Sequence, residues 1–448
     1  MHFFNLLAIL PVVAGHTLMT TLYVDGENQG DGVCIRQNRD PETATYPIIP
    51  LANDAMACGY DGETASSRLC PASQDSTLTF EFREYPDGSS GGSIDESHKG
   101  PCAVYMKRVE DATSDNNAAG DGWFKIFSLG YDTSTDQWCT EKLIANDGFL
   151  SVKVPTGIQG GPYLVRTELL ALHASQDTPP DPQFYVGCAQ VFVDGDSDGD
   201  VPEGVVIDAG TYDVSMPALV FNIYAEPLAL PYPSYGPAIY TPVSSRSGGD
   251  GVEVVQAKGL QPAGCILVRD DWCGFEVPSY SDQDGCWASA EECWDQADVC
   301  WNTAPPTGSK NCQIWSDKCT NIGDQCDAGN WNGPPNKGEV LTPALKKVGG
   351  SLAVFSGGNS SVDSTAGSQT SDSTDSSSDS TTSTSESKAD STSESSSDSS
   401  DSTVDTTVNA AADTTVDTAD EPTVSSTPSR PGKGHGRCKA RRSHKAKA

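Results

Sequence analysis

The runs Tyr163–Leu172 (YLVRTELLAL) and Cys188–Val193 (CAQVFV) decide how the first half of this chain is read. Both are short and apolar, and they sit among Gly, Pro and Asp residues. Such runs read as β-strands. Ser76–Phe82 (STLTFEF) and Leu150–Val154 (LSVKV) have the same character. Across residues 16–245, strand-like runs alternate with clusters of Gly, Pro, Asn and Asp, with no long helical period between them. The expectation is one sizeable all-β domain, a sandwich or barrel with long loops.

The chain has 448 residues, 15 Cys, 29 Pro and 43 Gly, and a formal net charge of −34. Met1–Gly15 holds an apolar run (FFNLLAILPVVA) that closes on small residues, Val13-Ala14-Gly15. This reads as a secretory signal cut after Gly15, although no Lys or Arg precedes its apolar core. It falls short of the roughly 20 residues that a membrane span needs. So many cysteines behind a signal imply the oxidising secretory route, and therefore disulfides. A secreted, extracellular monomer with no membrane partner is expected. The acidity argues against nucleic acid as a partner and suits a neutral substrate such as a polysaccharide.

Beyond the β domain, residues 246–263 read as a connector and 264–330 as a Cys-rich module. Residues 331–428 read as a stalk. From 356 onward it is dominated by Ser, Thr and Asp, so it cannot bury a core and is expected to be disordered and O-glycosylated. Asn359-Ser360-Ser361 is the one N-glycosylation sequon. Residues 429–448 invert the charge: Arg430, Lys433, Arg437, Lys439, Arg441, Arg442, Lys445 and Lys447 stand there without an acid. Such a tail either touches acidic surfaces or is simply solvated.

The chain holds six histidines. His2 leaves with the signal and His435 and His444 lie in the basic tail, so the β domain keeps His16, His98 and His173. Cleavage after Gly15 would make His16 the first mature residue, with its free α-amine and its imidazole both in chelating position. His98 lies in a Gly/Pro-marked turn, Ser97-His98-Lys99-Gly100-Pro101, and loops on a rigid sheet commonly carry function. His173 closes the run LLALH. Further on, Gln183 and Tyr185 are two apart and on a strand point to one face. That places an amide and a phenol side by side, as a hydrogen-bonding shell for a metal site.

Two imidazole nitrogens and one amine nitrogen make a compact nitrogen-only site, and copper leads the divalent affinity order for such ligands. The amine, with an ordinary pKa of about 8, must lose its proton to bind, and copper competes with that proton. Zinc usually draws on histidines and carboxylates at motif spacing. HExxH is absent, and so is the GxSxG of a serine nucleophile. One copper ion per chain is the expected cofactor.

Several longer stretches carry a family resemblance. They are Ser97–Val109 (SHKGPCAVYMKRV), Gly120–Asp132 (GDGWFKIFSLGYD), Trp138–Pro155 (WCTEKLIANDGFLSVKVP), Gly160–His173 (GGPYLVRTELLALH), Asp181–Val193 (DPQFYVGCAQVFV) and Asn222–Tyr240 (NIYAEPLALPYPSYGPAIY). Together and in this order they resemble the fungal lytic polysaccharide monooxygenases of auxiliary activity family 9, formerly glycoside hydrolase family 61. The likeness covers roughly residues 16–240, about half the chain.

The resemblance implies an immunoglobulin-like or fibronectin-like β-sandwich with copper on a flat face. His16, through amine and imidazole, and His98 would hold the metal in a histidine brace, with Tyr185 on its axis. His173 and Gln183 would position the oxygen species. The implied reaction hydroxylates a carbon next to the glycosidic oxygen of cellulose or a related β-glucan. It needs an external electron donor and oxygen or peroxide. Tyr232, Tyr235 and Tyr240, in the Pro/Tyr-rich end of the domain, are candidates for stacking on sugar rings; ordinary packing of that loop is the plainer reading.

The β domain holds Cys34, Cys58, Cys70, Cys102, Cys139 and Cys188, enough for three disulfides in any of 15 pairings. The resemblance favours Cys58–Cys188 and leaves the others open. In the module, Cys286, Cys293 and Cys300 are seven apart, and so are Cys312, Cys319 and Cys326. On a helix, residues seven apart share a face, drifting only about 20° per heptad. A helix-stopping turn, Ala304–Ser309 (APPTGS), lies between the triplets. This predicts an α-hairpin stapled by Cys300–Cys312, Cys293–Cys319 and Cys286–Cys326, with Cys265–Cys273 closing a separate small loop. Trp287, Trp294 and Trp301 each follow a cysteine and form a stripe beside the stapled face. They could make a sugar platform; packing onto the β domain or into a small core is the blander expectation. Cys438 is left over.

A rival from another class is a non-catalytic copper-binding or cell-wall-associated polysaccharide-binding protein on the same fold, to which the stalk and cationic tail lend weight. The intact set of His16, His98, His173, Gln183 and Tyr185 argues against it. A zinc hydrolase would need a carboxylate beside the histidines, and no motif supplies one.

Overall fold

Along Gly161–Ala171 the side chains alternate between two buried layers. Tyr163, Val165, Leu169 and Ala171 enter one core, whereas Leu164 and Leu170 enter another. A strand buried on both faces must be covered on both sides, and the rest of the fold supplies that cover. The computed structural model describes residues 16–242, 251–348 and Phe355. All of them belong to the first of the chain's two compact units, residues 1–366. The signal expected at residues 1–15, the stalk beyond 348 apart from Phe355, the Asn359 sequon, Cys438 and the basic tail lie outside the described residues.

In chain order the first strands are β1 (Leu18–Val24), β2 (Glu27–Asp31), β3 (Ile35–Arg36), β4 (Cys70–Ser73), β5 (Thr77–Arg83), β6 (Cys102–Arg108) and β7 (Gly120–Leu129). A small ribbon of β8 (Tyr131–Asp132) and β9 (Gln137–Trp138) follows, then helix α1 (Cys139–Ala145). The domain continues with β10 (Phe149–Lys153), β11 (Gly161–Ala171), β12 (Gln183–Asp194) and β13 (Val205–Ile207). One sheet has four strands in the order β10-β5-β1-β2. The other has seven: β13-β7-β6-β11-β12-β3, with β4 pairing parallel to β12. Asp25 and Gly26, both at positive φ (51° and 82°), make the two-residue turn between β1 and β2. That is the chemistry the right-handed twist of a hairpin favours.

The main core lies between the sheets. Met19, Leu22, Phe80, Phe82, Leu150 and Val152 come from the smaller sheet, and Val104, Met106, Phe124, Val165 and Val191 from the larger. The architecture is a β-sandwich, as expected. A second core covers the outer face of the larger sheet with Trp123, Trp138, Phe184, Tyr212, Phe221 and Tyr235. Within this layer Arg166 and Glu168 of β11 form a fully buried ion pair at 2.5 Å. It is a charge contact and not an aligned hydrogen bond. Glu168 also accepts hydrogen bonds from the hydroxyls of Tyr212 (2.7 Å) and Tyr235 (2.9 Å).

Disulfides join Cys34 to Cys70, Cys58 to Cys188 and Cys102 to Cys139 in the sandwich. After it come the hairpin β14 (Cys265–Arg269) and β15 (Trp272–Phe275), and the helices α2 (Gln283–Asn302) and α3 (Lys310–Asp327). Asp282 caps α2, accepting from the Gly285 N–H at 2.8 Å. The helices form an antiparallel pair bonded Cys286–Cys326, Cys293–Cys319 and Cys300–Cys312, and Cys265 is bonded to Cys273. Trp315, fully buried, fills the space between the helices and β14–β15. The tip of that small hairpin docks on the sandwich. Asp271 accepts from Ser66 Oγ (2.7 Å) and the Ser67 N–H (2.9 Å), and Asp270 pairs with Arg39.

Candidate metal centre

Four chain segments bring the site together. His16 leads into β1, and its buried neighbour Thr17 donates through Oγ1 to the Ser93 carbonyl at 2.5 Å. This ties the chain entry to the long loop between β5 and β6, which carries His98. The His98 N–H donates to the Asp95 carbonyl (3.0 Å), and Nδ1 shares a 3.2 Å hydrogen bond with Ser97 Oγ. The Leu172 N–H donates to the Lys99 carbonyl at 2.9 Å, fastening the His98 turn to the end of β11, where His173 follows. Gln183 and Tyr185 open β12 and share a face as expected, because the pleat has a period of two.

The ring centres of His16 and His98 are 6.2 Å apart, and the Tyr185 ring lies 6.1 Å from the first and 5.9 Å from the second. Two imidazoles bonded to opposite sides of one ion, at about 2 Å per bond, place their ring centres about 6 Å apart. The spacing of the two rings is therefore that of a pair sharing one ion. Two side-chain nitrogens do not complete a site; the sequence expectation adds the α-amine that cleavage after Gly15 would free. Among the described residues no three His, Cys, Asp or Glu side chains gather in metal-binding geometry. His173 lies 4.1 Å from His98, ring centre to ring centre, with its Nδ1 buried and unpartnered.

The electrostatics suit a metal ligand. Burial first, and then the neighbouring His173, push the His98 imidazole down to about 4. Burial and His173 also lower His16. Burial lowers His173 as well, against the opposing pull of Asp181, Asp177 and Asp95. The rings are thus uncharged near neutrality, with lone pairs free to bind. Burial holds the Tyr185 phenol above its ordinary range, so it stays protonated, and its hydroxyl donates to Gln183 Oε1 at 2.9 Å. Gln183 Nε2 in turn donates to Asp181 at 3.1 Å.

The sequence profile of Auxiliary Activity family 9 (formerly GH61) matches residues 16–235, the segment that carries all five of these side chains. A curated relative from Aspergillus tamarii, named AA9 family lytic polysaccharide monooxygenase C, is 60% identical over 78% of this chain and 95% of its own length. The chain belongs to auxiliary activity family 9. Oxidative cleavage of polysaccharide is the role of that family. AA9 family lytic polysaccharide monooxygenase A of Emericella nidulans is 70% identical over 81% of this chain. The match spans 64% of that relative, so this chain covers less than two thirds of its length. A solved structure titled CvAA9A is 34% identical, with a TM-score of 0.45, and covers 50% of this chain and 98% of its own.

The family 9 domain also shows what sequence reasoning missed. Tyr46 and Tyr224 are 51% and 63% exposed beside the histidines. The Tyr46 ring is 5.2 Å from His16, and the Tyr224 hydroxyl donates to the His173 carbonyl at 3.2 Å. Tyr46 stands in a Pro-flanked loop and Tyr224 directly precedes the stretch Ala225–Pro233 (AEPLALPYP). Neither position advertises exposure, which only the folded loops decide.

The tyrosines first singled out for sugar stacking have other work. Tyr235 is buried with its hydroxyl on Glu168, which removes it from any sugar-facing role. Tyr232 packs edge-on against Trp138 and Phe221, with its hydroxyl on the Ala218 carbonyl. Tyr240 packs on Phe124 and donates to Asp200. Loop packing is the reading that matches these contacts.

Two expected results follow from this geometry. At Gly100 an added Cβ would stand 1.8 Å from the Leu170 carbonyl oxygen, a backbone atom that cannot turn aside. Gly100→Ala should therefore push the His98 turn off β11 and destabilise the domain by about 2 kcal/mol or more. Calorimetric unfolding beside the wild type reads the loss. The second result concerns pH. An unfolded histidine titrates at about 6.5, whereas folded His98 does so at about 4. Between these values the unfolded chain binds the extra proton, so metal-free protein should lose stability as pH falls from about 6.5 to about 4. Unfolding in chelator at pH 7, 5.5 and 4.5 should show this loss, and His98→Asn should flatten it.

Proposed function

We propose that this family 9 chain is a secreted, copper-dependent monooxygenase that oxidatively cleaves β-1,4-glucan chains, cellulose or a related glucan, with an external reductant and oxygen or peroxide. The observation that carries the reading is the 6.2 Å approach of the His16 and His98 rings beside the buried Tyr185. His16, by its amine and imidazole, and His98 would hold one copper ion, with the Tyr185 phenol close to both imidazoles. Copper held there would supply one-electron oxygen chemistry that side chains alone cannot.

The chain's own residues arrange that chemistry. Tyr185 stays a neutral phenol because burial disfavours its anion, and Gln183 fixes the direction of its hydroxyl. His173, with a buried and unpartnered nitrogen near His98, can hold a proton or hydrogen-bond the oxygen co-substrate. Tyr46 and Tyr224 present exposed rings near the histidines, where sugar C–H faces could stack. A surface centre of this kind suits a crystalline polymer that will not thread a cleft.

The test is N-terminal sequencing of the secreted protein, copper-loaded electron paramagnetic resonance, and analysis of soluble sugars released from cellulose. A chain starting at His16, nitrogen-ligated copper and oxidised sugars formed only with reductant would support the reading. A different N-terminus, or no tight copper, would sink it and leave the non-catalytic alternative. Tyr224→Ala should weaken cellulose binding by roughly tenfold, the scale of one lost aromatic stack. Copper affinity should be unchanged, as equilibrium pull-down and metal titration would show.

A further inference from the structure

Helix α2 carries three tryptophans that the small core does not use. Trp287, Trp294 and Trp301 are 42%, 43% and 43% exposed, whereas the module's core is filled by Trp315. The blander expectation, that the stripe is covered by the β domain, is not what the structure shows. Large aromatic rings left in water in a row mark an interaction surface. We propose that the Trp287–Trp294–Trp301 stripe is a second polysaccharide-binding site, apart from the metal centre, that takes a neutral β-linked glucan chain.

Spacing, rigidity and charge support this occupant. Seven helical residues rise about 10.5 Å, so the stripe spans about 21 Å along α2. That interval is close to the two-sugar repeat of an extended β-1,4-glucan, in which alternate rings present the same face. The platform is stiff, because three disulfides staple α2 to α3. Trp301 is further fixed by its indole N–H on Ser316 Oγ at 3.0 Å. Tryptophan rings lose little freedom on binding, and their electron-rich faces suit the C–H faces of sugars.

Alongside the stripe, α2 bears Asp284, Glu291, Glu292, Asp295 and Asp298 and no basic residue. Glu291 and Asp298 stand four residues after Trp287 and Trp294, hence on neighbouring positions of the helix surface. Carboxylates there can accept hydrogen bonds from sugar hydroxyls while repelling an anionic polymer. The choice of a β-1,4-glucan among neutral glycans rests on the function proposed above.

The test uses the full secreted chain, stripped of metal and without reductant, in binding isotherms on insoluble cellulose. The Trp287→Ala/Trp294→Ala double variant should bind at least about tenfold more weakly. Trp294→Tyr, which keeps a ring, should stay within about threefold of wild type. Both substitutions fall on exposed positions, so unfolding temperatures should match wild type. Oxidation of soluble cello-oligosaccharides by the copper-loaded variants should also be unchanged.

Equal cellulose binding by the double variant would overturn the proposal, as would a wild-type chain that does not bind cellulose. So would lost self-association in sedimentation with glucan binding intact, which would make a second copy the occupant. Tryptophan-dependent binding by a chain that releases no oxidised sugar would uphold this site while the proposed activity failed.

Discussion

A chain extended by one residue ahead of His16 is expected, on the function proposed above, to lose tight copper binding and reductant-dependent sugar oxidation while keeping its fold. The described side chains offer the metal two imidazoles, with ring centres 6.2 Å apart, and no third His, Cys, Asp or Glu joins them in metal-binding geometry. In the proposed site the remaining nitrogen is the α-amine, and an extra residue turns that amine into a peptide nitrogen, which is a poor ligand. Loss of an outer partner of a metal ligand already costs about 10- to 100-fold in affinity. Loss of a direct ligand should exceed about 100-fold. His98→Ala should do the same from the other side. Copper titration against a competing chelator, with resonance spectra and product analysis, checks both variants. An extended chain that still binds tightly and releases oxidised sugars would refute the role of the amine.

The second large effect should come from a residue that never meets substrate. Glu168 lies on the outer face of β11, fully buried, against Arg166 and the hydroxyls of Tyr212 and Tyr235. Glu168→Ala would leave the Arg166 guanidinium buried without its counter-charge and would orphan two phenols. Breaking such a pair from one side costs about 3–5 kcal/mol, which for a domain of this size lowers Tm by roughly 10 °C. Replacing both charges, Arg166→Met with Glu168→Leu, should recover much of the loss, because the desolvation of two ions disappears along with their attraction. Thermal unfolding of the single and double variants separates these outcomes. If the single variant unfolds like wild type, the pair is not holding the outer core.

These two cases differ in how far the sequence foretold them. His16 drew attention because a small-residue cleavage site precedes it, and His98 because Gly100 and Pro101 mark its turn. The Arg166–Glu168 pair, by contrast, looks in the sequence like two polar positions on a strand. It is buried only because the loops carrying Tyr212 and Tyr235 fold over that face of the sheet. The same covering loops placed Tyr235 inside, against its expected place among sugar-stacking residues, and left Tyr224 out.

By itself the sequence determined what depends on local period and on residue chemistry. Short apolar runs set between clusters of Gly, Pro, Asn and Asp marked the strands, because turn residues break the chain where a strand must end. Cysteines seven apart marked the stapled helices, because a helix nearly repeats every seven. The identity of the nitrogen donors favoured copper. The tertiary structure alone decided which loops meet. His16, His98, His173 and Tyr185 converge because β1, β6, β11 and β12 bring four distant chain segments to one end of the sandwich. Asp270 and Asp271 reach the sandwich because a tight turn at the tip of β14–β15 projects them toward Arg39, Ser66 and Ser67. Local pattern tells a side chain which face it occupies. Contacts between segments far apart in the chain decide what that face will meet.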